Sequence, residues 1–250
     1  MEFLKIIASD NPSEILRVLD ESGILAEVFP ELTALKKTTD EGHKDNFDHT
    51  LQVLDNVVKA GHGIDLRLVT VFHDLGKAKT KRYDKVSGKV TFHSHEEESA
   101  RMLAGLWKRF ELPEDLLPRV ERIVKMHGRP KALTDESVGG VRRLITDAGS
   151  DLDGLIAFCN EDATTKSEAK LARYARDTAE LIARCAALVE ADRIRVFRPA
   201  LDGHELMRMG FIKHEIKVVV DAMKKLILSG ELDNNIESCT AYVTKTFLNK

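Results

Sequence analysis

Long apolar runs are missing from this 250-residue chain. Charges such as Arg184 and Asp221 break the longest of them, so no stretch of about 18 apolar residues exists to span a bilayer. The opening residues, Met1 to Asp10, lack both the basic flank and the apolar length of a secretory leader, which predicts a cytoplasmic protein. Cysteine is scarce. Cys159, Cys185 and Cys239 are far apart and odd in number, with no Cys-x-x-Cys pair to hold zinc or shuttle electrons, and they read as small buried hydrophobes. Runs of alternating β-branched residues are too short to seed a sheet. Charge of one sign is also lacking, since 38 basic residues face 41 acidic ones. Residues 1–165 are mildly acidic and residues 166–250 mildly basic, a weak footprint that permits RNA binding without arguing for it.

What is present is helical periodicity in nearly every segment, and it predicts an all-α protein with a helical core and additional N- and C-terminal helices. A first helix opens at Asn11-Pro12-Ser13 and stops at Gly23, and a turn around Pro30 follows over Leu25 to Leu35. Further helices start near Phe47, Leu66, Glu96, Leu116, Ser137, Asp151 and Lys170. A last pair covers Gly203 to Met209 and Ile212 to Leu228. The expected organisation is an N-terminal helical segment (1–40), a metal-binding core (41–165) and a helical tail (166–250) packed as part of one body.

Leu66 to Phe72 leaves almost no polar face, which marks a central buried helix. It delivers His73 and Asp74 at its end, and a carboxylate carried into a core is costly unless it is paired or binds a metal. Lys77 follows at i+4 from the histidine and i+3 from the aspartate, placed to meet an anion bound beside them. His49 sits at the edge of the apolar side marked by Val53, Leu54 and Val57. Asp162 follows Leu155, Phe158 and Cys159 at spacings of seven, four and three, so a second carboxylate points inward. His95 and His127 stand at helix ends. Four imidazoles and two carboxylates suit manganese, iron, nickel, cobalt or zinc, as one ion or two, with magnesium alone the poorer match.

His49, then His73-Asp74, then Asp162 resembles the HD superfamily of metal-dependent phosphohydrolases, and His95 and His127 match the extra histidines of its fuller sites. A closer resemblance lies with the body and tail of bacterial CCA-adding tRNA nucleotidyltransferases and poly(A) polymerases. It rests on Gly23-Ile24-Leu25, Val28-Phe29-Pro30-Glu31-Leu32, His43 to Thr50, Thr91 to Glu96, Asp162-Ala163-Thr164-Thr165 and Leu201 to Met207, and it covers most of residues 15–235. That family's catalytic head, a β-sheet domain with paired aspartates, precedes the part matched here, so nucleotidyl transfer by this chain alone is not expected. Gly139-Gly140 and Asp151-Leu152-Asp153 imitate the head's motifs, but their spacing is short and both pieces fit capped helices.

The resemblance implies an HD-type phosphohydrolase (a phosphatase or phosphodiesterase) that acts on a nucleotide or RNA-end phosphate ester. His49, His73, Asp74, Asp162, His95 and His127 would hold metal, and Asp74, Lys77, His95 and His127 would carry the catalysis. His43 and Arg129 are candidate substrate contacts. The alternative is a non-catalytic tRNA-binding or RNA-binding body of a split nucleotidyltransferase, and a third reading is a regulatory nucleotide-binding protein. Neither the native metal nor the oligomeric state is legible.

Overall fold

The computed structural model describes residues 2–38, 45–85, 89–133, 138–165, 167–196, 198–229 and 231–248. They form helices almost throughout, and the chain divides into two compact units, Met1–Arg184 and Cys185–Lys250. The division falls at 184/185, inside a 29-residue helix.

The first unit begins with α1 (Glu2–Ala8), α2 (Pro12–Glu21), α3 (Ile24–Val28) and α4 (Pro30–Thr33). Pro12 and Pro30 open their helices, where the missing N–H leaves no bond unmade. The segment from Leu25 to Leu35, expected as a turn, is thus two short helices and a 3-10 turn (Ala34–Lys37). Next come α5 (Asn46–Lys59), α6 (Ile64–Phe72) and α7 (Lys77–Thr80). A hairpin of β1 (Arg82–Asp84) and β2 (Lys89–Thr91) follows, antiparallel with Tyr83 opposite Val90. The remainder is α8 (His95–Arg109), α9 (Leu117–Met126), α10 (Arg129–Ala132), α11 (Val138–Ala148), α12 (Leu152–Glu161) and α13 (Glu168–Val196), which crosses into the second unit.

Helix α6 is the axis of this unit. Leu66, Leu68, Val69, Thr70, Val71 and Phe72 are all buried, as a helix without a polar face must be. It touches α1, α5, α8, α9 and α12, so its C-terminal end emerges among the elements that carry the other candidate ligands. An aromatic cluster closes the side near α1: Phe3 stacks on Phe110 with ring centroids 4.1 Å apart and meets Phe29 edge-on at 5.6 Å. Such offset and edge-on pairs add about 0.5–1.5 kcal/mol each beyond simple burial.

The second unit holds α14 (Gly203–Arg208), α15 (Lys213–Ser229) and α16 (Ile236–Val243). Its core is Leu201, Leu206, Phe211, Val219, Met223, Cys239 and Val243. Asp202 caps α14 by accepting hydrogen bonds from the His204 and Glu205 amides, and Asn235 caps α16 by accepting from Ser238. The three cysteines are buried and free, as expected of small hydrophobes. No helix among the described residues is long and apolar enough to cross a membrane.

Candidate metal centre

Four imidazoles and two carboxylates converge at the end of α6. His73 terminates that helix and Asp74 follows it, both almost fully buried. His49 comes from the first turn of α5, His95 is the first residue of α8, His127 caps the end of α9, and Asp162 caps the end of α12. Backbone carbonyls orient three of the imidazoles. His73 Nδ1 donates to the Thr70 carbonyl at 2.7 Å, His95 Nδ1 to that of Phe92 at 2.9 Å, and His127 Nδ1 to that of Val124 at 2.7 Å. A carbonyl only accepts, so Nδ1 of each ring carries a proton and the Nε2 edge is turned to the centre. His49 is held by a side chain instead, with Nδ1 2.8 Å from the Thr164 hydroxyl, a group that can donate or accept. Outer partners of this kind fix the tautomer and rotation of metal-binding histidines.

The Nε2 atoms surround the carboxylates. Asp162 Oδ1 lies 2.9 Å from His49 Nε2 and 3.6 Å from His73 Nε2. Asp74 turns one oxygen to each side: Oδ2 is 3.1 Å from His73 Nε2 and 3.7 Å from His49 Nε2, while Oδ1 is 3.3 Å from His95 Nε2 and 3.7 Å from His127 Nε2. Asp74 therefore stands between a His49–His73–Asp162 set and a His95–His127 set, as a carboxylate shared by two ions would. His73 Nε2, Asp74 Oδ1 and Asp162 Oδ1 are buried without a hydrogen-bond partner among the described residues. A buried polar atom left unpaired costs about 1–3 kcal/mol. Three in one cluster, all good ligand atoms, suit a divalent cation. Three overlapping groups, His49–His73–Asp162, His73–Asp74–His127 and His95–Glu96–His127, each keep their donor atoms within 4.8 Å of one another.

The second oxygen of each aspartate meets a lysine. Lys77 Nζ is 2.6 Å from Asp74 Oδ2, and Lys131 pairs with Asp162 Oδ2. Burial by itself would raise the carboxyl values, but the charges of His73 and Lys77 hold Asp74 well below the usual carboxylate range. For Asp162, burial is likewise outweighed, by the His49 imidazole beside it and the Lys131 charge. Burial, with the charge of His73, drives the His127 imidazole down to about 3. Both aspartates are thus anionic and His127 is neutral at neutral pH, the forms a metal ligand requires. Phe158 supplies an apolar wall, its ring 5.2 Å from His73 and 6.2 Å from His127.

Two candidates stand apart. Arg129 pairs with Asp147 at 2.7 Å, an ion pair exposed to solvent on both sides. His43 lies outside the described residues. Sequence reasoning missed Lys131 and Thr164. Lys131 follows His127 at i+4, a same-face spacing that could have drawn attention. Thr164 lies two residues after Asp162, within a motif already noted, but only the fold brings its hydroxyl to His49.

Residues 46–195 match the family model described as HD domain. The chain belongs to the HD domain family. Residues 1–36 match a second model, the probable RNA- and SrmB-binding site of polymerase A. Among curated relatives, the HD chain is 26% identical to the A-adding tRNA nucleotidyltransferase of Deinococcus radiodurans over 178 residues, which is 70% of this chain and 41% of that protein. It is 35% identical to the multifunctional CCA protein of Chromobacterium violaceum over 118 residues, 46% of this chain and 28% of that one. With the multifunctional CCA protein of Paraburkholderia phytofirmans it shares 28% identity over 138 residues, 54% and 33% of the two chains. The HD chain thus spans less than half the length of the relatives it matches.

Proposed function

We propose that this HD protein is a metal-dependent phosphohydrolase acting on a phosphate ester of a nucleotide or an RNA end. The observation that carries the reading is the cluster of three unpartnered, buried ligand atoms, His73 Nε2, Asp74 Oδ1 and Asp162 Oδ1, within a ring of oriented imidazoles. His49, His73 and Asp162 would hold one ion and His95 and His127 a second, with Asp74 between them. A bound manganese, iron, nickel, cobalt or zinc ion supplies an activated water near neutral pH and a charge that offsets the phosphoryl oxygens.

The chain's own groups do the rest. The Thr70, Phe92 and Val124 carbonyls lock three imidazoles so that their Nε2 atoms need no reorganisation. Lys77 and Lys131 bring two cations to the edge of the centre, where each can leave its aspartate for a phosphate oxygen. Phe158 keeps water from the inner side of His73 and His127.

An RNA end as substrate draws support from the match of residues 1–36 and from the printed names of the tRNA-modifying relatives. The same two findings favour a second reading, in which the chain is a non-catalytic tRNA-binding body that works with a nucleotidyltransferase head. Hydrolysis of bis(p-nitrophenyl) phosphate and of 2′,3′-cyclic nucleotides by manganese- or nickel-loaded protein separates the two. Turnover supports the hydrolase. Inactive protein that binds tRNA with a steep salt dependence supports the binding body.

A further inference from the structure

A cavity of about 450 Å³ opens between α10, α12 and the first half of α13, all within the unit Met1–Arg184. Its size is that of a small-ligand site. Ile156 from α12 and Leu181 from α13 give it an apolar floor, both buried from solvent. One face of α13 builds the rest: Tyr174, Asp177, Thr178 and Leu181 recur at spacings of three and four and all line the space. No hydrogen bond or ion pair takes up the Asp177 or Thr178 side chains among the described residues. Lys131 stands in the same wall, and its ammonium pairs with Asp162 of the metal centre. The cavity and the centre therefore share a residue.

We propose that this cavity holds the nucleoside part of the ester whose phosphate lies at the metal centre. The chemistry of the walls selects that class of ligand. The Tyr174 ring, with the Arg173 guanidinium 5.3 Å over one face, offers its other face for a base to stack on, and the Ile156–Leu181 floor suits a flat, largely apolar ring. The Asp177 carboxylate accepts hydrogen bonds from an exocyclic amine or a ribose hydroxyl and repels a phosphate, whereas Lys131 attracts one. Arg173 and Glu180, both exposed, also line the space with opposite charges; the polarity from Lys131 to Asp177 is that of a nucleotide, an anion at one end and donors at the other. Tyr174 is then a specificity residue that touches substrate, and Lys131 joins the two halves of the site.

The inference takes its ligand class from the hydrolase reading, so its test avoids turnover. Equilibrium dialysis of adenosine and cytidine, neither of which carries a phosphate, is run on the full chain, on Tyr174→Ala, on Thr178→Trp and on Asp74→Ala. Thr178 is half-buried on α13, and the indole is expected to fill the cavity without disturbing the core. Saturable binding to the wild type and to Asp74→Ala, weakened about tenfold in Tyr174→Ala and lost in Thr178→Trp, supports the assignment. It would do so even if the wild type hydrolyses nothing, in which case only the hydrolase reading falls. Absence of saturable binding of either nucleoside overturns the assignment. So does binding that both α13 variants leave intact, because the ligand would then sit elsewhere.

Discussion

Asp74 concentrates the chemistry of the molecule in one side chain. Its two oxygens face different histidine sets, and its charge is set against burial by His73 and Lys77. The residues around it are tuned by partners one step further out, which makes those partners testable. Thr164→Val removes the hydroxyl that orients His49 while keeping the side-chain shape. Metal affinity is expected to fall about tenfold with the fold intact, measured by titrating metal-free protein with manganese or zinc. Unchanged affinity would show that His49 needs no such support. Gly76 is constrained differently. A Cβ there would lie 2.2 Å from the His95 carbonyl oxygen and 2.8 Å from the Ser99 amide nitrogen, both backbone atoms that cannot swing aside. The Gly76 amide also donates to Ser99 Oγ at 2.9 Å. Gly76→Ala should therefore push the start of α8 away, costing about 1–3 kcal/mol of stability and displacing His95 from Asp74. Chemical denaturation reads the first effect and metal stoichiometry the second; a variant normal in both would contradict the close approach.

Elements bring these residues together, and their legibility in the sequence varied with what each one buries. Helix α6 was legible because six of the seven residues from Leu66 to Phe72, all but Arg67, go to the core, and α12 because Leu155, Phe158 and Cys159 share one inward side with Asp162. All-α architecture followed from the same periodicity. The hairpin was not legible, since its strands have three residues each and expose Tyr83, too short and too wet to show alternation. Helix α1 was missed although Phe3 and Ile7 recur at i+4, because its burial against Phe29 and Phe72 depends on distant chain. Helix α16 was missed too, its Asn235 cap going unread. At the site, all six metal-ligand candidates meet, while the pairing of Arg129 with Asp147 depends on α11 folding back to it. Another long-range tie is testable through pH. Arg109 on α8 makes two 2.7 Å hydrogen bonds to Glu31 on α4. Partial burial works against the charge on Glu31, but the Arg109 bonds prevail and hold its carboxyl below the ordinary value of 4.5. A depressed carboxyl contributes stability above its unfolded value and loses it as pH falls through the folded one. The stability gap between wild type and Arg109→Met should thus be open at pH 6 and close as pH drops below about 4.5. A gap that stays constant over that window would deny the ion pair its role.

At the scale of the whole molecule, the metal centre lies entirely within the unit Met1–Arg184, and the second unit has its own core and helix caps. An ion that binds only the folded centre stabilises it by mass action, about 2.7 kcal/mol at a hundred times its dissociation constant. Manganese or zinc should therefore raise the unfolding temperature of wild-type protein, with the increase absent from Asp74→Ala. An equal increase in both would mean that the ion binds elsewhere. All of these outcomes require that the buried His73 Nε2, Asp74 Oδ1 and Asp162 Oδ1 bind a transition ion that supports hydrolysis. The most direct measurement is elemental analysis of the purified protein beside Asp74→Ala, with both samples assayed on bis(p-nitrophenyl) phosphate. Stoichiometric metal and hydrolysis in the wild type, both lost in the variant, are the predicted result. Wild-type protein that stays metal-free and inactive after incubation with manganese or nickel, or a variant that keeps both properties, would contradict it.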